Sequence, residues 1–200
     1  MIRAFVAVEL TDELRSAIAL VQTQIKAELA RELRRTAPDA RLQWVRPEAN
    51  HLTLKFLGDI AEGQVEEIAQ ALTTVVGSQP RFSLEVGGLG VFPDARAPRV
   101  LWVGLSGAGP VISLARSVDE ALAELNFASE TRPFNPHLTL ARIKEHGREV
   151  GKALATTGFL AQTSPLGMLP VSTVVLMRSE LKPTGAVYTR LREIPLRDTG

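Results

Sequence analysis

The chain has no cysteine. That excludes disulfides, thiolate nucleophiles and cysteine-ligated zinc, and it suits a reducing compartment, so a cytoplasmic location is expected. It has no apolar run of membrane-spanning length, so no membrane partner is expected. The opening stretch, residues 1–8, is too short for a charged-then-apolar leader and reads as a strand. The formal net charge is only +1, which excludes the broad positive field of a bulk DNA binder. A small nucleotide or a nucleic-acid end needs only a local basic patch and stays compatible with that balance. Histidine is scarce too, with three in the chain.

What is present is an ordinary globular composition, 45% hydrophobic and 22% charged over 200 residues. A chain of this length buries about 70% of its unfolded surface, so it needs no staples. Two of the three histidines open identical tetrapeptides, His51-Leu52-Thr53-Leu54 and His137-Leu138-Thr139-Leu140. The alternation of polar and apolar residues is that of a half-buried strand. In such a strand each histidine shares a face with a threonine, and two leucines anchor the other face. Core packing explains the leucines; it gives no reason for His and Thr at the same offsets twice. An imidazole gives or takes a proton near neutral pH. A threonine hydroxyl donates to an anionic oxygen. Two copies facing one cleft supply an acid, a base and two anion-orienting hydroxyls, the parts of an in-line displacement at phosphorus.

Around the motifs, helical spacing of Leu14, Ile18, Val21, Ile25 and Leu29 predicts a first helix from a Thr11 or Asp12 cap to about Arg35. Leu42 to Val45 is a short strand and Pro47 to Asn50 a turn. The first motif strand runs from His51 to Phe56. Strict alternation puts Lys55 on the His51 and Thr53 face, where it meets a phosphate, and Phe56 is either core or a ring that stacks on a base. A helix follows over residues 62–76. Phe82 to Val86 is a strand, with Gly87, Gly88 and Gly90 in a bulge or turn; the dinucleotide pattern fails because it needs glycine where Pro93 stands. Residues 99–105 form a strand, and a helix carries Ile112, Leu114, Ala115, Val118, Leu122 and Leu125 inward. The second motif strand spans residues 137–143. Arg142 has the opposite parity from His137, and a bulge or twist near the strand end would bring it to the cleft. His146 lies in a polar turn and receives no role. A short helix over 148–156, strands over 171–178 and 186–194, and a hairpin loop from Ser179 to Gly185 complete the chain. Each half offers a His-Thr strand, a helix and paired strands. The expected fold is therefore α+β, one domain over 1–200 of two pseudo-symmetric lobes. Each lobe is an antiparallel sheet with helices on its outer face, and the groove lies between them.

At these residues the sequence resembles the two-histidine phosphoesterase superfamily, and within it the RNA 2′,3′-cyclic phosphodiesterases, or 2′-5′ RNA ligase-like proteins. The resemblance covers nearly the whole chain. It includes residues 3–10, Trp44-Val45-Arg46-Pro47, residues 51–58, residues 99–104, residues 134–142 and Ser179-Glu180-Leu181. The departure is the long, Arg-rich end of the first helix, residues 28–39. The resemblance implies hydrolysis of an RNA 2′,3′-cyclic phosphate to a 2′-phosphate, with no metal or other cofactor. It implies His51 as proton donor to the departing 3′ oxygen and His137 as the proton acceptor from water. Thr53, Thr139 and Arg142 hold the phosphate. Ligation through a 2′-5′ bond by the reverse step, hydrolysis of a small cyclic nucleotide, and non-catalytic binding of an RNA end are the alternatives. A monomer is expected.

Overall fold

The computed structural model describes residues 1–182 and 185–198. In chain order the elements are β1 (Ile2–Glu9), α1 (Asp12–Thr36), β2 (Leu42–Trp44), β3 (His51–Ile60), α2 (Val65–Val76), β4 (Phe82–Phe92), β5 (Val100–Ser106), α3 (Gly109–Ala123), β6 (His137–Ile143), α4 (Gly147–Thr157), β7 (Pro165–Val171), β8 (Thr173–Lys182) and β9 (Gly185–Pro195). Short 3-10 turns precede β3 and α2 and follow α4.

Two antiparallel sheets form, with strand orders β3-β1-β8-β9 and β2-β6-β5-β4-β7. Helix α2 packs on α3 and β9, and α3 packs on β3, so both cover the first sheet. Helix α1 packs on α4 and β7, on the second sheet. This is the expected two-lobed α+β architecture. The lobes, however, are not consecutive halves of the chain. Strand β1 is apolar enough to be central, so it pairs with β3 on one side and with the late strand β8 on the other. Both ends of the chain thus build one sheet, while α1 crosses to cover the other.

Helix α1 begins at Thr11, whose hydroxyl accepts from the Leu14 N–H at 3.3 Å. Asp12 and Glu13 in its first turn and Arg34 and Arg35 in its last complement the helix dipole. Its inner stripe of Leu14, Ile18, Ile25, Leu29 and Leu33 is interrupted by one polar residue, the buried Gln22. The leucines of both motifs, Leu52, Leu54, Leu138 and Leu140, belong to one continuous core that α1, α2 and α3 close.

Three local features differ from expectation or lie beyond it. Residues 165–171 form β7, where Pro165, Gly167 and Pro170 hide the strand; its place at a sheet edge lets it tolerate prolines. Strand β4 continues beyond Val86 through the glycines to Phe92, bulged at Gly88. Ser179 to Lys182 are strand rather than loop, because β8 stays paired with β9 to Gly185. Pro183 and Thr184 of that hairpin lie outside the described residues.

Candidate active site

The two motif strands carry the same irregularity at the same place. In β3, Ala7 opposes Thr53 and Val6 opposes Lys55, so Leu54 is the extra residue. In β6, Trp102 opposes Thr139 and Leu101 opposes Ala141, so Leu140 is extra. A bulge inverts the alternation beyond it. Lys55 therefore joins Leu52 and Leu54 on the buried face, and Phe56 turns out onto the histidine face. By the same inversion Ala141 is buried, and Arg142 turns out beside His137 and Thr139.

Arg142 thus reaches the site face through a bulge, whereas Lys55 does not meet a phosphate. The Lys55 side chain is 1% exposed, and its ammonium donates to Asp119 Oδ1 on α3 and to the Ala128 carbonyl, the latter at 2.7 Å. Asp119 also accepts the Glu130 N–H at 3.2 Å. The lysine pins the segment that leads from α3 toward His137. Phe56 is 62% exposed, so it is not core; its ring lies 6.1 Å from Phe5.

Each histidine is oriented by backbone two residues before it. His51 Nδ1–H donates to the Ala49 carbonyl at 2.9 Å, and His137 Nδ1–H donates to the Asn135 carbonyl at 2.7 Å. A carbonyl only accepts, so Nδ1 carries the proton in both rings and Nε2 is left to exchange one. Aromatic rings brace both imidazoles. Phe5 lies 4.6 Å from His51, and the Tyr188 ring stands edge-on to it at 5.0 Å. Phe92 stands edge-on to His137 at 5.1 Å, and Trp102 lies 6.4 Å away. Trp102 lies flat on Gly90, where a Cβ would fall 2.1 Å from the indole, so only glycine fits beneath it. Burial pushes the His51 imidazole below its usual pKa, opposed by the bond to Ala49.

The lobes meet at this face. Strands β3 and β6 are in contact, and Arg46, just after β2, donates to the Ala186 carbonyl of β9 at 2.8 Å. Burial raises the Tyr188 phenol above its usual pKa, and the positive charges of Arg142 and Arg46 oppose the rise. Tyr188 from one sheet and Arg142 from the other therefore share one electrostatic environment beside His51. The buried Gln22 amide donates to the Val45 carbonyl at 2.8 Å and to the Leu140 carbonyl at 3.0 Å. It holds the bulge that aims Arg142. Sequence reasoning missed Gln22, Arg46, Tyr188 and the Phe5, Phe92 and Trp102 braces. Gln22 had a signal, a polar residue on an apolar helical stripe, and Tyr188 is the sole tyrosine of the chain.

Thr53 and Thr139 are half-buried on the same faces as their histidines. Among the described residues no group of three or more His, Asp or Glu side chains is placed to hold a metal ion. His146 sits apart, in the turn before α4, with Nε2 3.1 Å from Asp39 Oδ2. A backbone hydrogen bond, the larger cause, and that imidazole hold the Asp39 carboxyl below its usual range. No described helix is long and apolar enough to cross a membrane.

Comparison with known proteins adds a second line of evidence. A family model described as LigT like phosphoesterase matches the chain twice, at residues 19–102 and 103–188, one motif in each match. The RNA 2′,3′-cyclic phosphodiesterase of Methanothermobacter thermautotrophicus is 36% identical over 188 residues, 94% of this chain and 95% of its own. That of Aquifex aeolicus is 36% identical over 156 residues, 77% of this chain and 81% of its own. A crystal structure of a Thermus thermophilus protein aligns with a TM-score of 0.75 at 29% identity, covering 99% of this chain and 100% of that one. With the duplicated His-Thr strands, their shared bulge and these matches, the chain belongs to the LigT-like phosphoesterases of the two-histidine superfamily.

Proposed function

We propose that the protein hydrolyses the 2′,3′-cyclic phosphate end of RNA to a 2′-phosphate, without a metal or other cofactor. The observation that carries this reading is the paired imidazole geometry, each Nδ1–H held by a carbonyl two residues back and each Nε2 left for the substrate. The relatives named RNA 2′,3′-cyclic phosphodiesterase supply the substrate class.

In this mechanism His137 Nε2 takes a proton from water as its oxygen bonds to phosphorus. The bond from phosphorus to the 3′ oxygen breaks, and His51 Nε2 gives that oxygen its proton. General acid and base catalysis of this kind contribute about 10²–10⁴-fold each. Thr53 and Thr139 donate to the two non-bridging oxygens, and Arg142 neutralises charge that grows on them. Phe56 offers its exposed ring to a base of the RNA. In the free protein burial favours neutral His51, the wrong form for an acid. The incoming phosphate anion raises the pKa of His51, so the ring takes up its second proton from solvent as substrate binds. The enzyme acts as a monomer, its two lobes working as one domain, in a reducing compartment such as the cytoplasm.

The test is incubation of a short RNA carrying a 2′,3′-cyclic phosphate end with the protein in EDTA. A 2′-phosphate product supports the reading. No product from the folded protein would sink it and leave binding of an RNA end. A 3′-phosphate product would reverse the assigned leaving oxygen.

A further inference from the structure

The two lobes do not equip the site equally. Phe56 in β3 and Arg142 in β6 hold equivalent places, each five residues after its histidine and just past the shared bulge. The second lobe thus offers His137, Thr139 and a cation, whereas the first offers His51, Thr53 and an apolar ring. A polar group stands nearby in the first lobe, on another strand. It is Tyr188, the sole tyrosine of the chain.

Two edge-on contacts fix the Tyr188 ring, 5.0 Å from His51 at an interplanar angle of 88° and 5.0 Å from Phe5 at 76°. Two residues earlier on β9, the Ala186 carbonyl accepts from Arg46 at 2.8 Å, which ties that strand to the other lobe. The ring is half-buried, yet its hydroxyl makes no hydrogen bond to a described residue. A buried tyrosine hydroxyl usually has a partner. This one is not among the fully enclosed polar atoms that lack one, so a ligand can reach it. Burial keeps the phenol protonated, and the charges that oppose burial, Arg142 and Arg46, are both cations. A guanidinium has no acceptor. The hydroxyl proton is therefore left for an anion that lies beside His51 and Arg142.

We propose that the Tyr188 hydroxyl is a further donor to the cyclic phosphate, reaching a non-bridging oxygen from the first lobe while Arg142 serves the phosphate from the second. The proposal rests on the cyclic phosphodiesterase reading. Each lobe then supplies one histidine, one threonine and one further phosphate ligand. Tyr188 does in the first lobe what Phe56 cannot.

The experiment uses Tyr188→Phe, which keeps the ring against His51 and Phe5 and removes only the hydroxyl. Parent, Tyr188→Phe, Arg142→Met and the double variant are compared in kcat/KM on an RNA 2′,3′-cyclic phosphate and in calorimetric binding of inorganic phosphate. Tyr188→Phe should lower kcat/KM by about 10–100-fold and weaken phosphate binding, with Tm unchanged. The double variant should lose less than the product of the two single losses, because both groups act on one phosphate. A role in packing alone survives the change to phenylalanine, so a parent-like rate and phosphate affinity overturn the proposal. Lost activity with parent-like phosphate affinity places the hydroxyl on another group and overturns it too. A folded parent that turns over no RNA removes the phosphodiesterase reading, while the phosphate titration still decides whether Tyr188 meets the anion.

Discussion

Replacing Lys55 by methionine separates two accounts of this residue. On an alternating strand it would be a phosphate ligand, and its loss would raise KM and leave stability untouched. In the structure it is a buried cation with two acceptors, Asp119 and the Ala128 carbonyl. Methionine keeps the aliphatic stem and removes the charge. Among the described residues Asp119 then keeps the Glu130 N–H. Removing one partner of a buried pair costs about 3–5 kcal/mol. The Asp119 side chain is 21% exposed, so water recovers part of that, which places the expected loss near the lower figure, about 3 kcal/mol. At about 2–4 °C per kcal/mol for a chain of this size, Tm falls by about 6–12 °C. Urea unfolding of parent and variant gives the free energy, and steady-state kinetics below the transition give KM. Adding Asp119→Leu should recover part of the loss, because the stranded carboxylate is then gone. Unchanged stability with a raised KM would refute the buried-pair reasoning and restore the phosphate reading.

Gln22→Leu leaves the Val45 carbonyl without the amide and takes one donor from Leu140. It should cost about 1–3 kcal/mol in urea unfolding and lower kcat/KM as the bulge that aims Arg142 loosens; a loss of stability with full activity would detach Gln22 from the site. Gly90→Ala drives a Cβ into the Trp102 indole. Overpacking of this kind costs about 1–3 kcal/mol, and the tryptophan emission should shift; an unchanged spectrum and Tm would contradict the flat packing. The pKa of His51 is lowered in the free protein, so its contribution to stability is full above the ordinary imidazole pKa of about 6.5. That contribution is lost as pH falls toward the folded-state value. Phosphate favours the protonated ring and should flatten the dependence; a Tm whose acid limb is the same in parent and His51→Ala, with or without phosphate, would contradict it.

The candidate residues were more legible in the sequence than their geometry. His51, Thr53, His137 and Thr139 were legible because a scarce residue recurs in one context. Arg142 and Lys55 show what a pattern of period two cannot see. Both lie beyond a bulge, and one extra residue sends the arginine outward and the lysine into the core. Nothing local in His-Leu-Thr-Leu marks the extra leucine; the neighbouring strands set it through their register. The lobes were legible as a class of fold. Their membership was not, because β1 pairs with β8, which lies near the other end of the chain. Strand β7 was invisible because its glycine and prolines are those of a turn, and its edge position permits them.

The central claim is that two histidines act together on one phosphorus. The direct measurement is the single-turnover rate on an RNA 2′,3′-cyclic phosphate, in EDTA, for the parent, His51→Ala, His137→Ala and the double variant. Each single variant, folded as judged by its unfolding curve, should lose about 10²-fold or more. The double variant should lose far less than the product of the two, because an acid and a base that serve one step do not add. A folded single variant that keeps a near-parent rate would contradict the paired mechanism.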